Sequence, residues 1–284
     1  MVSIVPLPRR RPAGDRSAAP VKISISAKSV SKTFRLGASE ICALDNVDVE
    51  VGDGEFVAIV GPSGCGKSTL LRIVAGISRP TTGDVVTNGK TVDKPVTDIG
   101  IVFQNPVLLA WRNVLDNVLI QMELRGEAPG KYRERAVALL TAVGLGDFLD
   151  RYPRELSGGM RQRAAIIRAL IHEPPVLLMD EPFGALDALT REQMRVDLEL
   201  LWMRTRKTVL FVTHGIDEAV LLADRVVVMS PRPGKIEQIV DVDIPRPRGL
   251  DARHHSRFIE ITQHITDVFL SRGVLKSESR LSDI

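Results

Sequence analysis

The chain has 284 residues, of which 44% are hydrophobic, 26% charged and 4% aromatic, with a net charge of +3. That length can bury one large core or two small ones. The slight positive charge and scarce aromatics argue against a nucleic-acid platform, and no apolar run reaches the roughly 18 residues of a membrane-spanning helix.

Residues Met1 to about Pro20 carry Arg9-Arg10-Arg11 among several prolines. No apolar core follows, so the stretch reads as a flexible extension rather than a targeting signal. From Val21 the pattern alternates through Ile23, Ile25, Val30 and Phe34, and again from Leu44 to Val51 before the turn Gly52-Asp53-Gly54. These predict antiparallel strands. Phe34 reads equally as a half-buried strand residue or as an aromatic surface for a nucleotide base.

Phe56–Val60 predicts a buried strand, and Leu70–Ala75 a helix closed by Gly76. Between them lies Gly61-Pro62-Ser63-Gly64-Cys65-Gly66-Lys67-Ser68-Thr69. A Gly-x4-Gly-Lys-Ser loop between strand and helix is a phosphate cradle. Its glycines let several backbone N–H groups point into one concavity, and the helix N-terminus adds donors and a positive dipole end. Lys67 supplies a full charge, and the Ser68 hydroxyl can ligate Mg²⁺. Cys65 reads as a small tolerated side chain. With Cys42 it forms neither a disulfide framework nor metal-ligand spacing, which suits a reducing cytoplasm.

Further on, Val85–Thr87 with Asn88-Gly89 signals a hairpin, and Ile99–Phe103 a strand ending at Gln104. Helical spacing then runs over Asp116–Arg125, Lys131–Val143 and Gly158–Ile171, a helical insertion in an α/β chain. The core resumes with the strand Val176–Met179, which ends in Asp180-Glu181-Pro182. A long helix, Thr190–Thr205, precedes the strand Thr208–Val212, which ends at Thr213-His214. A helix, Ile216–Ala223, and a strand, Arg225–Met229, complete the alternation. Strands alternating with helices predict a parallel sheet covered on both faces, with its ligand crevice at the strand C-terminal ends. Ile244-Pro245-Arg246-Pro247-Arg248 breaks the pattern before a last helix, Arg253–Leu270. Its histidines, His254, His255 and His264, form no ligand set and read as surface residues.

Residues just after the strand ends should converge. Asp180 stands where a carboxylate would hold Mg²⁺ beside phosphates. Glu181 could orient or deprotonate a water, Gln104 could reach metal and water, and His214 could bond a γ-phosphate oxygen. Ser157 is a good N-cap, and Gly158 and Gly159 expose first-turn N–H groups, a second anion-ready helix start. Two copies meeting head to tail would set each such helix against the other's γ-phosphate.

These motifs, over about Val21–Asp243, resemble the ATP-binding cassette (ABC) ATPases. Gly61–Ser68 is similar to Walker A, and Val176–Asp180 to Walker B with Glu181 as catalytic glutamate. Leu156–Met160 resembles the signature, Gln104 the Q-loop glutamine, Gly184–Asp187 the D-loop, His214 the switch histidine and Phe34 the base-stacking aromatic. The resemblance implies an α/β phosphate-loop fold with a mainly parallel sheet, an N-terminal antiparallel β subdomain and an inserted helical subdomain. It divides the chain into an extension (1–20), an ATPase domain (21–245, helical subdomain about 105–170) and a helical tail (246–284). It also implies an active ATPase using ATP and Mg²⁺. ATP would be held by residues 61–69, Phe34, and Ser157, Gly158, Gly159 and Asp187; Ser68, Gln104 and Asp180 would serve the metal. Glu181, His214 and Gln104 would be catalytic.

The implied assembly is a homodimer on two membrane permease subunits, with a periplasmic or lipoprotein solute-binding protein and no nucleic acid. It would sit peripherally on the cytoplasmic face of the cell membrane. Met160 stands where glutamine is commoner, which leaves the anion site intact. Gly215 stands where aspartate is usual and is expected to loosen the switch loop. Phe103–Val114, Ser230–Lys235 and Ile244–Arg248 are similar to importer ATPases for nitrate, sulfonate and taurine. There the segment after the Q-loop docks the permease's coupling helix, so Trp111 reads as an interface anchor or as a core aromatic. A soluble cassette of DNA repair or translation would carry a coiled-coil insertion or two cassettes. A phosphate-loop kinase or GTPase leaves Leu156–Met160 unexplained.

Overall fold

A computed structural model describes residues 22–37 and 39–275. The expected extension (1–20) and the end of the tail therefore lie outside the described residues. Two long strands, β1 (Ile23–Leu36) and β2 (Ser39–Gly52), pair antiparallel, and β1 also pairs with β4 (Thr82–Thr87), which turns back into β5 (Lys90–Thr91). This is the antiparallel sheet that the alternation predicts, in the order β2-β1-β4-β5.

The second sheet runs β10-β9-β3-β8-β7-β6. Its parallel strands are β3 (Phe56–Val60), β6 (Ile99–Val102), β7 (Val176–Asp180), β8 (Thr208–Thr213) and β9 (Arg225–Met229). β10 (Ile236–Asp241) lies antiparallel to β9 at the edge. The sequence reading did not find it, because only one of its residues, Val240, is buried.

Successive side chains on each strand feed opposite layers. Val57 and Ile59 of β3 join α1 (Lys67–Val74) and the antiparallel sheet in one core. Phe56, Ala58 and Val60 join the other. That second core takes in α2 (Val114–Leu124), α3 (Arg133–Ala142), α4 (Gly158–Leu170), α5 (Ala188–Thr205) and α6 (Ile216–Leu222).

The last helix, α7 (Ser256–Ser271), also enters this core, through Phe258, Ile261, Ile265, Val268 and Phe269. Of its nearby histidines, His254 and His255 are exposed as expected. His264 is not a surface residue: it is half-buried, with no partner for its Nε2 among the described residues. Trp111 is 74% exposed, which removes the core-aromatic reading.

β3, β8, β7 and β6 are consecutive neighbours, so Gly61, His214, Glu181 and Gln104 leave the sheet side by side.

Candidate functional site

The phosphate loop closes on itself before it meets anything else. Gly66 caps α1 in a left-handed conformation at φ 104°. A Cβ there would come within 2.8 Å of the Ala43 carbonyl oxygen, so both conformation and space require glycine. Lys67, 4% exposed, donates from Nζ to the carbonyls of Gly61 at 2.8 Å and Pro62 at 3.1 Å. Cys65 turns inward, and burial raises its thiol pKa, with Lys67 opposing.

Ser63, Gly64, Gly66, Lys67, Ser68 and Thr69 line a cavity of about 300 Å³. Phe34, Ile41 and Ala43, from β1 and β2, form another wall of it, and Glu181 and Arg232 complete it. Phe34 is therefore 41% exposed at the cavity and not a core residue, with the Lys32 Nζ 5.1 Å from its ring centroid. Gly61, Pro62 and Cys65 do not line the cavity; they hold its lysine and its floor.

At the phosphate end a pair and a trio of side chains meet. The Ser68 hydroxyl donates to Asp180 Oδ1 at 2.7 Å, joining α1 to the end of β7. Asp180 is 8% exposed. No group of three or more His, Cys, Asp or Glu residues among the described residues is arranged to hold a metal ion by itself. One hydroxyl and one carboxylate fit Mg²⁺, which is held by few protein oxygens together with substrate phosphates.

The second group is centred on Glu181, whose Oε2 lies 3.4 Å from both Gln104 Nε2 and His214 Nδ1. Three strand ends thus converge on one carboxylate oxygen. Glu181 has φ +45°, left-handed backbone for a residue with a full side chain. Its N–H is held by the Val212 carbonyl at 2.9 Å. Such strain concentrates where function needs a fixed side chain.

Ser157, Gly158 and Gly159 do not join this cavity within the chain. Ser157 caps α4, accepting from Met160 N at 3.2 Å. Asp187 caps α5, accepting from Thr190 N at 3.0 Å, and that bond holds its carboxyl below the usual range. These two caps are neighbours: a Cβ on Gly159 would lie 2.4 Å from Thr190 Cγ2. Neither helix start lines the cavity beside the phosphate loop.

Sequence reasoning missed a brace behind His214. Arg195 of α5 donates to Glu218 Oε1 at 3.2 and 3.0 Å, and Glu218 Oε2 accepts from Thr213 Oγ1. Thr213 Oγ1 in turn accepts from Gly215 N at 3.0 Å. Arg195 and Glu218 are buried. The switch loop is therefore braced and not loosened at Gly215. Arg232, Ile41 and Ala43 were also missed. The only signal was the Ser230–Lys235 turn, which had drawn notice for its resemblance alone.

A family model described as "ABC transporter" matches residues 44–184. An uncharacterized ABC transporter ATP-binding protein of Methanocaldococcus jannaschii is 46% identical over 257 residues, covering 90% of this chain and 95% of that protein. A taurine import ATP-binding protein of Ruegeria pomeroyi is 46% identical over 215 residues, covering 75% and 80%. An aliphatic sulfonates import ATP-binding protein of Bacillus cereus is 38% identical over 256 residues, covering 90% and 99%. Among solved structures, a dimeric ATP-binding cassette in a post-hydrolysis state, bound to ADP and Pi, is similar with a TM-score of 0.69. It shares 35% identity and covers 78% of this chain and all of its own.

Proposed function

The chain belongs to the ABC transporter family of ATP-binding proteins and is an ATPase, and from that premise we propose that it energises an importer of a small anionic solute. Taurine, an aliphatic sulfonate and nitrate are the solutes in view. The observation that carries the reading is the convergence of Gln104, Glu181 and His214 beside the Ser68–Asp180 pair at one phosphate cavity. The names of the taurine and sulfonate relatives support the solute class.

In this reading Phe34 carries the adenine, and the backbone of residues 63–69 with Lys67 holds the phosphates. Mg²⁺, held by Ser68 and Asp180 with Gln104 alongside, would neutralise charge on the phosphate oxygens. Glu181 takes the proton of the attacking water, and His214 orients the γ-phosphate. Two copies pair head to tail, Ser157–Gly159 of one closing over the triphosphate of the other, with Asp187 at the seam. ATP binding closes the pair and hydrolysis reopens it, which drives the membrane partners between states.

Those partners are two permease subunits, which dock on the exposed segment around Val107 and Trp111, and a solute-binding protein outside the membrane. No helix among the described residues is long and apolar enough to cross a membrane. In this reading the chain is a peripheral subunit at the cytoplasmic face of the cell membrane.

Glu181→Gln tests the site. The amide keeps the shape but cannot take a proton, so turnover should fall by roughly 10²–10⁴-fold while ATP affinity is retained. With ATP the variant should also elute as a dimer. Turnover near wild type would remove Glu181 from its role, and a monomer at saturating ATP would count against the head-to-tail pair. For the solute, a strain lacking the chain should lose uptake of labelled taurine or an alkanesulfonate; unchanged uptake of both would exclude them.

A further inference from the structure

The turn between β9 and β10 is fastened onto the outside of the phosphate loop. Gly234 N donates to the Ala43 carbonyl at 3.0 Å, and the Gly234 carbonyl accepts from Asp45 N at 3.0 Å. A Cβ on Gly234 would lie 1.9 Å from the Cys65 carbonyl oxygen, an approach no other residue allows. Ser230 Oγ accepts from Lys235 N at 2.9 Å and lies 3.0 Å from the Pro233 carbonyl, closing the turn. Lys235 pairs with Asp45 at 2.7 Å. The turn is therefore tied to the strand and loop it covers.

Arg232 sits in this turn and lines the nucleotide cavity with Phe34, Ile41 and Ala43. Other arginines of the two sheets are spoken for, Arg35 by Glu40 and Arg225 by Glu55. Among the described residues the Arg232 guanidinium makes no ion pair and no hydrogen bond. An exposed, unpaired guanidinium on an anchored turn, at the mouth of a phosphate cavity, is positioned for an anionic or planar ligand. The phosphate end already holds Lys67, Ser68 and Glu181, whereas Arg232 shares the cavity with the wall that carries Phe34.

We propose that Arg232 is a nucleotide-binding residue, its guanidinium contacting the α-phosphate and the open face of the base held on Phe34. A guanidinium does both, since its planar fork matches phosphate oxygens and its face stacks on aromatic systems. This rests on the ATPase reading and adds a contact beyond the phosphate loop. It would be shared by ATP and ADP, so it contributes to retention of the nucleotide and not to the γ-phosphate chemistry.

The test is titration calorimetry of the purified full chain with ATP and with ADP, for wild type, Arg232→Ala and Arg232→Lys. Arg232→Ala should weaken both nucleotides by the same factor, about tenfold for one charge-assisted contact. Arg232→Lys should recover only part of that loss. The nucleotide-free melting temperature should match wild type, because Arg232 is exposed and braces nothing among the described residues. Wild-type affinity of Arg232→Ala for both nucleotides would overturn the proposal. So would a loss confined to ATP, which would place the guanidinium at the γ-phosphate or on a second copy. If the wild-type chain itself binds neither nucleotide, the ATPase reading fails as well.

Discussion

Glu218→Gln is the substitution that most directly tests the brace behind the switch histidine. Both oxygens of the Glu218 carboxylate accept: Oε1 from Arg195 Nε and a terminal nitrogen at 3.2 and 3.0 Å, and Oε2 from the Thr213 hydroxyl. An amide of the same shape accepts on one side only. With its oxygen toward Arg195, its NH₂ faces a hydroxyl that already accepts from Gly215 N. With its oxygen toward Thr213, its NH₂ faces the guanidinium. Either orientation removes the carboxylate charge that faces Arg195, and the second also sets two donors against each other. Removing one partner of a buried pair costs about 3–5 kcal/mol. Arg195 keeps Glu192 at 2.6 Å, which offsets part of that cost. We expect a loss of about 3 kcal/mol, or roughly 6–12 °C in melting temperature. Because Thr213 and Gly215 flank His214, turnover should fall while the KM for ATP changes little. Denaturant unfolding followed by circular dichroism, with phosphate release as the kinetic readout, measures both effects. An unfolding midpoint and a turnover equal to wild type would refute the brace.

Phe34→Ala should raise the Kd for ATP about tenfold, the size of one lost base-stacking contact, and should leave turnover at saturating ATP nearly unchanged. Nucleotide titration checks this, and an unaltered Kd would return Phe34 to the role of a strand residue. A separate expectation concerns acid stability. Burial, aided by nearby Arg125, lowers the His172 pKa to about 4, and its Nδ1 has no partner among the described residues. The fold thus holds His172 neutral, while the unfolded chain takes up a proton near pH 6.5. Its stabilising contribution is complete above pH 6.5 and declines as pH falls toward 4. Discounted for partial solvent screening, that is roughly 1–2 kcal/mol. His172→Gln should lose that much less stability than wild type between pH 7 and 4 in urea titrations. Parallel pH profiles for the two proteins would sink the argument.

The parts of the site that could be read in advance are those whose chemistry dictates local spacing. A triphosphate needs a curled backbone, a lysine and a hydroxyl within a few residues, so Gly61–Thr69 is visible as a string. Asp180, Glu181 and His214 are visible because apolar strands end at them, and in a parallel sheet those ends converge. What stayed hidden depends on register between distant segments. Arg232 reaches the cavity from a turn whose Gly234 packs on the Cys65 carbonyl, 169 residues earlier in the chain. β10 and the packing of α7 are likewise set by what they cover, and β10 carries too few buried residues to announce itself.

Gly215 shows how far a local reading can mislead. Seen as a string, glycine in place of the family's usual aspartate removes a side chain and frees the backbone. In the fold, Gly215 N is tied to Thr213, and Thr213 to Glu218 and Arg195 of α5. A Cβ at Gly215 would lie 3.3 Å from Glu218 Cβ, so an aspartate there would crowd a carboxylate that is already placed. The rigidity that an aspartate would lend the switch is supplied from α6, and α5, which Asp187 caps, shares the same brace. The cap at Asp187 and the brace behind His214 are thereby carried by the same helix.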